Sequence, residues 1–257
     1  MRFVLPSLFA CAALVAHAAG AAEPLRIAAA ADLKFCMDEI VTAFEAEHAD
    51  ARVDVSYGSS GNFATQIRQG APFDLFFSAD SDYPIALEHD GFTASRVRPY
   101  ALGRIVLWSA ALDAATLTLP DLARADVARI AIANPRHAPY GQRAEQALRA
   151  SGVWDAVQPK LVYGENIAQA AQFAESGNAT VGIIALSLAV SPPLAAKGRY
   201  SLVPDTLHAP LRQAFVVTRH GAGKALARAF ADYVQAPPAR AIMARHGFAP
   251  ARAGAPQ

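Results

Sequence analysis

Cysteine is scarce in this chain of 257 residues, which holds two. Cys11 lies in an N-terminal segment that reads as a leader, so Cys36 stands alone. That excludes an internal disulfide and a thiolate metal cluster from the mature chain. Leu33, Met37 and Ile40 share a helical face with Cys36, where a lone cysteine acts as a small buried hydrophobe. An excess of one charge is missing as well: 23 Lys and Arg stand against 22 Asp and Glu. Loss of Arg2 with the leader makes the remainder formally neutral. With no basic run, neither nucleic acid nor an anionic membrane is an expected partner. No Walker-type loop occurs, because no Lys-Ser or Lys-Thr follows the glycines. The histidines at 48, 89, 137, 208, 220 and 246 never fall four apart, so no two share a helix face for zinc. Gly58-Ser59-Ser60-Gly61 is one residue short of a nucleophile elbow. Asp80 and Asp82 are close enough to pair, but their segment reads equally well as a helix start. The chain therefore reads as a non-enzyme with no catalytic residues, no metal site and no cofactor.

A long apolar run is also absent. Arg2, the apolar stretch 3–15 and Ala19-Gly20-Ala21-Ala22 ahead of Glu23 have the layout of a cleaved secretory signal. The apolar stretch falls short of the roughly 20 residues that cross a bilayer. An uncleaved anchor is the competing reading. A lipoprotein box at Leu8-Phe9-Ala10-Cys11 has too little apolar sequence before it. Residues 1–22 are accordingly set aside as a signal peptide, and the rest is expected to be a soluble periplasmic protein.

What is present is a repeating rhythm of short apolar strands and amphipathic helices. Strands are expected at 25–30, 52–57, 75–78, 105–108, 130–133, 181–185 and 214–218. Helices are expected at 33–48, 62–69, 83–89, 141–150, 167–176, 222–234 and 238–246. This order implies parallel pairing with helical crossovers. Pro238 suits a first helical turn and Gly247 a helix stop, and 249–257 reads as a tail with little to hold it. The length suits two lobes, with no flexible tether between them.

Four strand-to-helix turns are rich in small or hydroxylated residues: Ala28-Ala29-Ala30-Ala31-Asp32, Gly58-Ser59-Ser60-Gly61-Asn62, 134–141 and Tyr163-Gly164-Glu165-Asn166. A first helical turn carries free N–H groups and a partial positive charge, so such turns bind anions without a formal cation. Ser59 or Ser60 could instead serve simply as a cap. In open α/β sheets, ligands collect beyond the carboxyl ends of the strands, and with two turns in each lobe all four can meet in one cleft.

At these turns the chain resembles the periplasmic molybdate-binding proteins, a type II solute-binding family. Tyr57-Gly58-Ser59-Ser60-Gly61, Gly70-Ala71-Pro72-Phe73-Asp74, Phe77-Ser78-Ala79-Asp80, Ala138-Pro139-Tyr140-Gly141 and Arg245-His246-Gly247-Phe248 carry the likeness. It extends over nearly the whole mature chain. The resemblance implies two Rossmann-like α/β lobes joined by two crossover strands, lobe I being 23–101 with 211–257 and lobe II 102–210. It implies hinge closure on molybdate or tungstate, delivery to an ABC permease and its ATPase, and a monomer. Carried over, Ser60 would donate its hydroxyl and amide, Tyr140 and Ile167 their backbone N–H groups, and Asp32 would complete the first lobe. Two positions depart from the family: Asp32 replaces a Ser or Asn, and Ala185 stands where some members place a tyrosine.

Asp32 bears on the choice of ligand. An ionised carboxylate about 4 Å from a dianion is repelled by about 8 kcal/mol at an effective dielectric of 20. Asp32 could cap its own helix and turn away, could accept a proton from an anion such as hydrogen phosphate, or could bind a cation such as ferric iron. A secreted enzyme on the same lobes is the reading from another class.

Overall fold

The structure, a computed structural model, describes residues 23–251. The expected signal peptide and residues 252–257 lie outside them. The chain opens with β1 (Leu25–Ala30), a 3-10 turn (Ala31–Leu33), α1 (Lys34–Glu47), β2 (Val53–Gly58), α2 (Ser60–Arg68), β3 (Leu75–Ser78), α3 (Asp82–His89) and β4 (Arg98–Gly103). After Arg104 alone, β5 (Ile105–Ser109) begins a second set. There follow β6 (Ile130–Ala133), α4 (Pro139–Ala150), α5 (Trp154–Val157), β7 (Leu161–Gly164), α6 (Ile167–Glu175), β8 (Val181–Ala185), α7 (Leu186–Ala189), α8 (Pro192–Ala195) and β9 (Arg199–Leu202). The chain then returns through β10 (Leu211–Val217), α9 (Ala225–Gln235), α10 (Pro237–Arg245) and β11 (Ala249–Pro250).

Two mixed sheets result, in the orders β11-β4-β10-β3-β1-β2 and β7-β6-β8-β5-β9. The α/β expectation holds, and its parallel pairing holds where helices make the crossovers: β1 with β2 and β3, β6 with β7 and β8. The pairs formed by β10 and β5 are antiparallel instead, because those strands enter the sheets straight from the other lobe without a helix to reverse them. The expected loose tail needs correction at its start, since Ala249 and Pro250 pair with Leu102 and Ala101.

The central strands β1 and β3 of the first sheet are buried on both faces, as their unbroken apolar runs require. Along β1, Leu25, Ile27 and Ala29 pack against α1, α9 and α10, while Ala28 faces Phe63, Ile67 and Leu87 on the other side. Phe76 and Phe77 divide the same way, and Phe77 stacks on Phe215 with ring centroids 4.8 Å apart. Each such buried side chain contributes about 1.5–3 kcal/mol. The rigid sheets hold the strand ends in place, and the first helical turns at those ends face the gap between the lobes.

Candidate ligand site between the lobes

Four helix starts meet at a small cavity, lined by Ala31 and Asp32, by Ser59 and Ser60, by Pro139 and Tyr140, and by Ile167. The centre of a water-sized sphere has about 10 Å³ to move in, roughly the room one water needs. No lysine, arginine or histidine lines it.

Each turn offers polar hydrogen atoms for a local reason. Ser60 opens α2 and is 1 % exposed. Its Oγ accepts the Ala79 N–H at 3.0 Å, which leaves the hydroxyl proton free to donate. Tyr140 follows Pro139 in the first turn of α4, where a helix supplies no acceptor for its own amides. Gly141 lets that turn approach β6 closely, since a Cβ there would meet the Ala133 carbonyl at 2.0 Å. At α6 the Asn166 side chain takes the amides of Ala168 and Gln169 at 3.0 and 3.1 Å. The Ile167 amide stays outside that cap, at the cavity. All four residues expected at the site, Asp32, Ser60, Tyr140 and Ile167, thus line one space. Ala185 closes β8 and takes no part in the lining.

Asp32 does not play the capping role weighed for it. It sits inside the 3-10 turn, and its Oδ2 accepts the Tyr140 hydroxyl at 3.0 Å and the Gln213 Nε2–H at 2.7 Å. Its backbone carbonyl accepts the Ser187 hydroxyl at 2.7 Å. Its Oδ1 is buried with no partner. Burial lifts the carboxyl from the ordinary value of 3.8 to about 7, against the hydrogen bonds from Gln213 and Tyr140 that pull it down. Capping loses here because a tyrosine from lobe II and a glutamine from β10 reach the carboxyl first.

The lobes are also clasped around the cavity. His137 accepts the Gly61 N–H on its carbonyl at 2.9 Å, and its Nδ1 lies 2.9 Å from the Ser59 Oγ. Asn62 donates to Glu165 at 2.5 Å. Arg143 of α4 is buried and paired with Asp80 at 2.5 Å. An arginine buried by a carboxylate 63 residues away leaves no local mark in the sequence. Gln213 was also overlooked, although a lone amide ahead of Ala214-Phe215-Val216-Val217 was a signal that something buried needed a donor.

A sequence profile of bacterial extracellular solute-binding proteins matches residues 25–249. The chain belongs to that family. It is 38 % identical to the molybdate-binding protein ModA of Azotobacter vinelandii over 92 % of this chain and 94 % of that one. It is 37 % identical to the molybdate-binding protein ModA of Rhodobacter capsulatus over 81 % of each chain. The solved structure of the Azotobacter vinelandii periplasmic molybdate-binding protein superposes with a TM-score of 0.82 at 32 % identity, covering 89 % of this chain and all of that one. These relatives are named for the molybdate they bind.

Proposed function

We propose that this solute-binding protein captures molybdate, or its near-twin tungstate, between its lobes and delivers it to the permease and ATPase of an ABC importer in the periplasm. One observation carries the reading: four helix starts converge on a compact cavity whose lining has donors but no cation. Such a lining favours an anion through partial charges and hydrogen bonds, and selects it by size. The relatives that bind molybdate point to the same ligand class. Capture needs neither a cofactor nor turnover. Among the described residues no helix is long and apolar enough to cross a membrane.

The test is thermal unfolding with molybdate, tungstate, sulfate, phosphate and ferric iron. A ligand at a thousand times its Kd adds about 4 kcal/mol, and about 2–4 °C per kcal/mol is expected for a chain of this size. Shifts of roughly 8–16 °C with molybdate and tungstate alone support the reading. A shift with phosphate or iron alone keeps the transport role and makes Asp32 the residue that changed the cargo.

A further inference from the structure

Asp32 is the one carboxyl in the cavity lining, and its burial with no cation beside it favours the neutral form. Oδ2 holds two hydrogen bonds, one from each lobe. Oδ1 is buried and unpartnered, an arrangement costly for a carboxylate oxygen and natural for one that carries a proton it can donate. The ionisable groups facing it are Tyr140 from α4, Tyr100 from β4 and Cys36 from α1. Burial raises all three, so each is uncharged at neutral pH. From β10 comes Gln213 and from α7 Ser187, and none of the groups acting on Asp32 is a cation.

We propose that Asp32 is the proton-carrying donor of the site, so that a dianionic oxyanion is captured together with one proton taken from water. The proposal rests on the oxyanion reading above. The balance is simple: the open carboxylate and one proton give the closed carboxylic acid, and no bond of the ligand breaks. In the open cleft the carboxyl meets solvent and keeps the ordinary carboxylate range. In the closed cleft it is pushed up to about 7, and a neighbouring dianion pushes it in the same direction. A group whose pKa is higher in the bound state takes up a proton on binding. Affinity is therefore greatest in acid, falls about tenfold per pH unit between the open and closed values, and levels off above the closed one. This gives Asp32 a use that a serine in the same place lacks: the protein releases its anion as pH rises.

The experiment is titration calorimetry of the full mature chain with molybdate at pH 6, 7 and 8, in buffers of different protonation enthalpy. About one proton taken up per molybdate, with Kd rising roughly tenfold from pH 6 to pH 7, is the expected result. Asp32→Asn keeps the size but has no carboxyl to protonate, so it should show no proton uptake and a Kd that changes less than about twofold over the same range. Tight binding of molybdate by the unmodified chain with no proton uptake overturns the proposal and leaves the oxyanion reading standing. Absence of binding by molybdate, tungstate and sulfate even at pH 6 removes both. The proton count is made on the unmodified chain, so the proposal stays testable if Asp32→Asn fails to fold.

Discussion

The Ser60 hydroxyl accepts the Ala79 amide, which leaves its own proton free to donate. Ser60→Ala removes a donor to a charged group, worth about 1.5–3 kcal/mol, so oxyanion affinity should fall roughly 10- to 100-fold by calorimetry. Unchanged affinity for every oxyanion would mean the cavity is not the site. The four turns were legible because a helix start is written locally, in small, hydroxylated or proline residues next to an amphipathic run, whereas Ser60, Tyr140 and Ile167 were picked out within them by the family resemblance. The state of Asp32 was not legible. It depends on Gln213, 181 residues away, and on Tyr140, 108 away, and no local pattern records which distant group reaches a carboxyl first.

The helices that carry these donors depend on how closely they seat on their strands. Gly141→Ala would place a methyl group 2.0 Å from the Ala133 carbonyl, so α4 must back away from β6. Overpacking of this kind costs about 1–3 kcal/mol, a fall of roughly 2–12 °C in Tm for a chain this size. Because Tyr140 moves with α4, calorimetry should show weaker ligand binding as well. Asn166→Ala is the gentler counterpart. Its cap on the amides of Ala168 and Gln169 is worth about 1 kcal/mol, so the expected loss is about 2–4 °C with a smaller change in binding. The strands and helices were largely legible for the same local reason: 75–78, 130–133 and 181–185 are the observed bounds of β3, β6 and β8. Strands β4 and β9 were not. Arg199, Tyr200 and Leu202 of β9 are exposed and lack the apolar run that marks a central strand, and β4 mixes Arg98 and Pro99 with its apolar residues.

Arg143 of one lobe and Asp80 of the other are out of water together, each side chain 10 % exposed. An ion pair across two lobes is intact only when they meet, so its loss falls on the closed state. Arg143→Met leaves Asp80 buried without its cation, at a cost of about 3–5 kcal/mol in a closed cleft. An open cleft avoids that cost, because Asp80 then reaches water. The chain has a natural place to open: β4 passes into β5 through Arg104, and the return runs from β9 to β10, so few residues need to turn. Arg143→Met should therefore weaken ligand binding at least about 100-fold, while the ligand-free Tm falls by only a few degrees. Small-angle scattering should show a larger radius of gyration for the ligand-free variant than for the unmodified protein. Adding Asp80→Asn removes the stranded charge while keeping an oxygen for the Asp82 amide, which Asp80 now holds at 3.1 Å. The double variant should recover much of the lost affinity. If Arg143→Met instead lowers the ligand-free Tm by 10 °C or more and leaves affinity untouched, the pair serves the fold of lobe II rather than the meeting of the lobes.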